Sequence, residues 1–121
     1  MKKPTVKTMR NKCDALLTPI IKKMYPKCLL CGHDTQVAHH HVHKSQSTRL
    51  RYEIDNLIPL CNSCHLALHM NESYHASRIV EMRGVEWFRK LDRMKHEIVK
   101  ADVYFYLLNY ERLKKLLAVD K

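Results

Sequence analysis

Two cysteine pairs, Cys28/Cys31 and Cys61/Cys64, each have two residues between their members, and 29 residues lie between the pairs. Two tight turns of that spacing present four thiolates to one ion, which is the arrangement of a structural zinc site. Gly32 follows the first pair directly, and a residue without a Cβ lets backbone amides turn toward the sulfurs. Four sulfurs leave no coordination position for water or substrate, so an ion bound there contributes to folding rather than to chemistry. The fifth cysteine, Cys13, falls on the apolar side of a helical pattern and reads as a small core residue.

The histidines are arranged differently. His39-His40-His41-Val42-His43 is followed by Asn56, 15 residues after His41, and then by His65 and His69. Imidazole binds divalent ions when neutral and titrates near neutrality, so these residues suit metal ligation or proton transfer. His65 and His69 are four apart on a predicted helix; they project from one face and can share an ion. His65 also follows Cys64 directly, so the zinc site pins the start of the helix that carries both histidines. In an alternating strand His40 and His41 point to opposite sides unless a bulge re-aims one, which places one toward a metal and the other toward a substrate. His33, His75 and His96 have no partner pattern and read as surface residues.

The elements that must position these groups follow from periodicity. Val6, Met9, Cys13, Leu16, Leu17, Ile20, Ile21 and Met24 recur at helical steps, giving an amphipathic helix over 5–24 with a kink or early break expected near Thr18, ahead of Pro19. Two short β-like stretches, 36–42 and 57–60, form a hairpin with a long connection. Helical spacing returns over 62–70 with Asn71 as the stop, which completes a ββα unit. Beyond a polar joint at 71–77, one or two helices are expected, broken at Gly84. The stretch 98–117 is apolar on more than one helix face and must pack, either on the first helix or in a homodimer through the C-terminal helices. The whole chain, 1–121, reads as a single α+β domain: an N-terminal helix over 5–24, a zinc-bound core over 25–71 and a helical extension over 77–121.

The strings His40-His41-Val42, Asn56-Leu57-Ile58-Pro59-Leu60-Cys61-Asn62-Ser63-Cys64-His65 and His69 closely resemble the HNH, or ββα-metal (His-Me finger), nucleases with embedded zinc cysteines, over roughly residues 25–70. Leu50-Arg51-Tyr52, the helix ahead of Cys28 and Gly84-Val85-Glu86-Trp87 are more loosely similar to small phage-encoded HNH proteins, including the NinG/Rap recombination nucleases. The resemblance implies a small ββα-metal core and a metal-dependent DNA endonuclease that leaves 5′-phosphate and 3′-hydroxyl ends. It implies His41 as general base, His40, His65 and His69 as ligands of one catalytic divalent ion, and Asn56 as the residue that braces the hairpin and orients the base. A register shifted by one residue, with His39 as ligand in place of His40, is the alternative. Three imidazoles suit Zn²⁺, Ni²⁺, Co²⁺ or Mn²⁺, with Mg²⁺ less favoured.

Charge agrees with a polyanionic partner. Lys and Arg number 22 against 12 Asp and Glu, a formal charge of +10. Lys44, Ser45, Arg49 and Arg51 in the hairpin connection are the candidate phosphate contacts, and Lys2, Lys3, Lys7, Arg10 and Lys12 add a basic N-terminal face. No base-reading helix is apparent, so weak sequence specificity or recognition of DNA shape is expected. No stretch approaches the ~20 apolar residues of a membrane span, and the cysteines fit metal binding in a reducing cytosol better than disulfides. A non-catalytic zinc-stabilised nucleic-acid-binding module accounts for the cysteines and the charge but not for the histidine spacing. A protein-docking module built on the apolar C-terminal helices would make the charge incidental.

Overall fold

The computed structural model describes residues 3–119; Lys2 of the basic N-terminal face lies outside them. Helix α1, Val6–Met24, starts at Thr5, whose Oγ1 accepts the Thr8 N–H at 3.0 Å and satisfies a free donor of the first turn. The helix does not break early near Thr18. It runs through Pro19 to Met24 because Leu17, Ile20 and Ile21, on both sides of the proline, are all buried. Burial of side chains this size stabilises by about 1.5–3 kcal/mol each, which offsets the hydrogen bond that proline lacks.

The hairpin is shorter than the apolar pattern suggests. Strand β1, Val37–His40, pairs antiparallel with β2, Leu57–Leu60, in the register Val37↔Leu60 to His40↔Leu57. A single 3₁₀ turn, Ile54–Asn56, leads into β2. Helix α2, Asn62–Met70, follows at once with Cys61 as its N-cap and Asn71 as its C-cap, as the sequence predicts. The polar stretch after it is not a joint. Helix α3, Glu72–Arg83, begins one residue later and ends at Gly84, whose φ of 100° is open to glycine and strained for other residues. Helices α4, Val85–Met94, and α5, Val103–Ala118, complete the chain.

Two apolar clusters hold these elements. In one, Met9, Cys13, Leu17, Ile20 and Ile21 of α1 meet Tyr52, Leu57, and Tyr106 and Leu113 of α5. Thus α5 covers α1, as expected of an apolar stretch with more than one buried face. Cys13 is a core residue; its thiol donates to the Tyr106 carbonyl at 3.2 Å, and burial pushes its pKa up to about 11. The second cluster joins Cys28, Ile58, Leu60, Cys61 and Leu68 to Ile79 of α3. Helix α4 is tied to the 3₁₀ turn, where Trp87 Nε1 donates to the Asp55 carbonyl at 2.8 Å and Lys90 pairs with the Asp55 carboxylate. Among the described residues, no helix is long and apolar enough to cross a membrane.

Candidate metal centres and active site

The sulfur site is built by two backbone turns. At the first, Gly32 adopts φ 80°, its N–H reaches the Cys28 carbonyl at 3.0 Å, and a β-bridge between Lys27 and Asp34 closes the knuckle. At the second, Cys61 caps α2, its Sγ accepting the Cys64 N–H at 3.4 Å. The sulfurs of Cys28, Cys31, Cys61 and Cys64 all lie within 4.8 Å of one another. Tetrahedral zinc with Zn–S bonds of ~2.3 Å needs sulfurs roughly 3.8 Å apart, so the four residues fit that ion. Their acidities point the same way. Burial raises the cost of ionising Cys28, yet backbone N–H groups of the two turns more than offset it and bring its pKa down to about 7. Burial and the neighbouring sulfurs push Cys64 up. One thiolate forms readily and opposes the next, and a divalent cation is what lets all four ionise together.

One turn further along α2 the histidines form a looser group. His65 Nε2 and His69 Nε2 are 3.1 Å apart, as their i, i+4 spacing requires. The β1 residue that meets them is His39. Its ring centroid is 5.3 Å from that of His65 and 6.2 Å from those of His69 and His43. Only 6% exposed, His39 is held neutral: burial first, then the neighbouring imidazoles, lower its pKa to about 3. A neutral ring is the form that binds metal. Around these rings opens a cleft of about 390 Å³, lined also by Asp14, Leu17 and Thr18 of α1 and by His40 and Lys44.

The three consecutive histidines take three different environments. His40 lines the same cleft, but its Nε2 is committed to the Arg51 carbonyl at 2.9 Å. A carbonyl can only accept, so Nε2 carries the proton and Nδ1 keeps a free lone pair. Burial lowers the His40 pKa, which keeps the ring neutral. His41 lies past the end of β1 and does not line the histidine cleft. Its ring packs on Trp87 at 4.8 Å between centroids and borders two cavities lined by α3 and α4. The geometry thus sits one residue from the expected pairing of His40 with His65 and His69, because strand alternation stops at His40.

Asn56 is fully buried and touches only backbone: Oδ1 accepts the Val42 N–H at 2.8 Å, and Nδ2 donates to the carbonyls of Val42 at 3.0 Å and Leu50 at 3.2 Å. It joins the two ends of the hairpin connection. Of the expected phosphate contacts, Lys44 and Ser45 are exposed, and Lys44 lines the cleft. Arg49 and Arg51 are engaged by carboxylates instead. Arg49 pairs with Glu97 at 2.7 Å and Glu53 at 3.3 Å, and Arg51 with Asp14 at 2.7 Å, because a guanidinium held in a crowded turn takes the nearest carboxylate.

Sequence reasoning passed over Asp14, Thr18 and the pairing of His43 with Glu72, all at the cleft or its edge. Asp14 had a signal: it is the only acidic residue before Asp34, set among Lys7, Arg10, Lys12, Lys22 and Lys23. No curated protein and no solved structure matches the chain. Residues 26–71, from the first knuckle through α2, match the model of the HNH endonuclease family, which suggests a nuclease-type role in nucleic-acid processing for this segment.

Proposed function

We propose that this protein is a metal-dependent DNA endonuclease that hydrolyses phosphodiester bonds in the histidine cleft. The observation that carries the reading is the meeting of His39, His65 and His69 in one open cleft beside a proton acceptor, His40, within the HNH segment. His39, His65 and His69 would hold the divalent ion, which supplies positive charge for a phosphate oxygen and for the departing 3′-oxygen. Zn²⁺, Ni²⁺, Co²⁺ and Mn²⁺ suit this nitrogen set better than Mg²⁺. His40 accepts a proton from the attacking water at Nδ1, its other nitrogen being occupied by Arg51. Lys44 offers its ammonium to the phosphate from the cleft wall. Asn56 keeps the connection folded so that both ends of the hairpin stay in place. The products are 5′-phosphate and 3′-hydroxyl ends.

The register drawn from the resemblance, with His41 as base and His40 as ligand, is the competing assignment. His40→Gln separates the two, because a glutamine amide still donates to the Arg51 carbonyl but has no basic nitrogen. In a supercoiled-plasmid assay with EDTA or added Mn²⁺, Ni²⁺, Co²⁺, Zn²⁺ or Mg²⁺, wild type should nick only with metal. His40→Gln should lose nicking while His41→Ala keeps it. The reverse pattern restores the His41 assignment. Retention of DNA without cutting under every ion, on plasmid and on branched substrates, would leave a zinc-stabilised binding module. With no base-reading element, cutting should be weakly sequence-specific, and branched recombination intermediates are the first shaped substrates to compare with plain duplex.

A further inference from the structure

The position of His40 depends in part on a residue outside the HNH segment. His40 is oriented by the carbonyl of Arg51, in the turn between Thr48 and Glu53. The N–H of Arg51 meets the Thr48 carbonyl at 3.2 Å, Asn56 and Arg112 donate to the Leu50 and Tyr52 carbonyls, and the side chains of Arg51 and Tyr52 add a further hold. Those side chains converge on one residue of α1. Asp14 Oδ1 accepts from Arg51 Nε at 3.1 Å and from the Tyr52 hydroxyl at 2.8 Å, and Oδ2 accepts from an Arg51 terminal nitrogen at 2.7 Å. The Arg51 side chain is 15% exposed and Asp14 30%, so solvent screens this pair only in part.

We infer that Asp14, outside the HNH segment, is a positioning residue for the cleavage reaction, holding the Arg51 carbonyl where it fixes the tautomer and ring orientation of His40. The inference rests on the reading of His40 as base. A carboxylate does this where an amide would not: both of its oxygens accept, so it holds the planar guanidinium at two points and the phenol at a third. Asparagine at position 14 would turn an NH₂ against either the guanidinium or the phenol. The turn could then rotate, and small misplacement of a proton acceptor slows chemistry without weakening substrate binding.

The test uses full-length, zinc-loaded protein and single-turnover and steady-state cleavage of plasmid DNA. Asp14→Asn is compared with Lys23→Ala, which removes another tie made by α1, from Lys23 Nζ to the Leu117 carbonyl at 2.7 Å, but has no link to His40. Expected are a kcat lower by about 10- to 100-fold in Asp14→Asn with KM and zinc content unchanged, and wild-type kcat in Lys23→Ala. Because Asp14 acts through His40, Asp14→Asn combined with His40→Gln should be no slower than His40→Gln alone. Equal kcat losses in the two α1 variants, an unchanged kcat in Asp14→Asn, or a further multiplicative loss in the double variant would overturn the inference. Wild-type kcat in His40→Gln alone would instead overturn the base assignment and this inference with it.

Discussion

Helix α2 contributes to two clusters of side chains of types that can ligate metal, and their geometry differs sharply. At its start, sulfurs from two turns close to within 4.8 Å of one another; one turn further on, histidine rings stand 4.5–6.2 Å apart between centroids beside a cleft of about 390 Å³. Four sulfurs around one ion would leave it no position for substrate, while the histidines border an open cleft. The sulfurs are joined through backbone turns and an N-cap, so their ion is coupled to the chain's path. The histidines project from elements already packed elsewhere, so whatever they bind is less coupled to folding.

The largest effect should come from breaking the closed set. Cys64→Ser removes a ligand whose site stabilises the fold by on the order of 10 kcal/mol, a quantity comparable to the whole stability of a domain. Circular dichroism should show loss of the ordered core and zinc analysis a loss of metal. In contrast, His69→Ala, on an exposed position of the same helix, should melt within about 1 kcal/mol of wild type and be inactive. Equal melting losses in the two variants would erase the division between the clusters.

His40→Gln comes next. A general base is worth about 10²–10⁴ in rate, with little change in melting because the bond to Arg51 survives. Asn56→Ala should be the mirror image. Three backbone groups lose their partner inside the protein, costing roughly 2–4 kcal/mol of unfolding free energy in a urea titration. If Asn56→Ala folds as stably as wild type but does not cut, the residue belongs to the chemistry instead.

The smallest effect is expected at the outer side of α5. Leu108 is 74% exposed and Tyr104 70%, while Tyr106 and Leu113 are buried against α1. Leu108→Glu should change stability by less than about 0.5 kcal/mol and leave the mass in light scattering as it is in wild type. A wild-type dimer converted to monomer by this substitution would support self-association through the C-terminal helices.

Much of this was legible because it is local. Cys-x₂-Cys spacing, Asn71 as a helix stop and Gly84 as a break each act within a few residues, and α2 begins and ends where they place it. The packing of α5 was half legible: its apolar faces required a partner, and α1 offered the matching stripe. Non-local choices were not readable. Which of three adjacent histidines meets α2 depends on where β1 ends, and that is set by pairing with β2 and by the Asn56 tie. Which arginines are free for phosphate depends on carboxylates as much as 48 residues away, as for Arg49 and Glu97. Pro19 misled because local propensity was outweighed by burial on both sides of it.

Cys64 and His65 are consecutive, and the first turn of α2 is capped by Cys61. That adjacency couples the two clusters through one stretch of backbone. The turn that brings Cys61 and Cys64 to the sulfur cluster is the same turn that sets the face carrying His65 and His69. On the proposed function, a substitution in the sulfur turns should therefore lower cleavage even though no cysteine lines the histidine cleft.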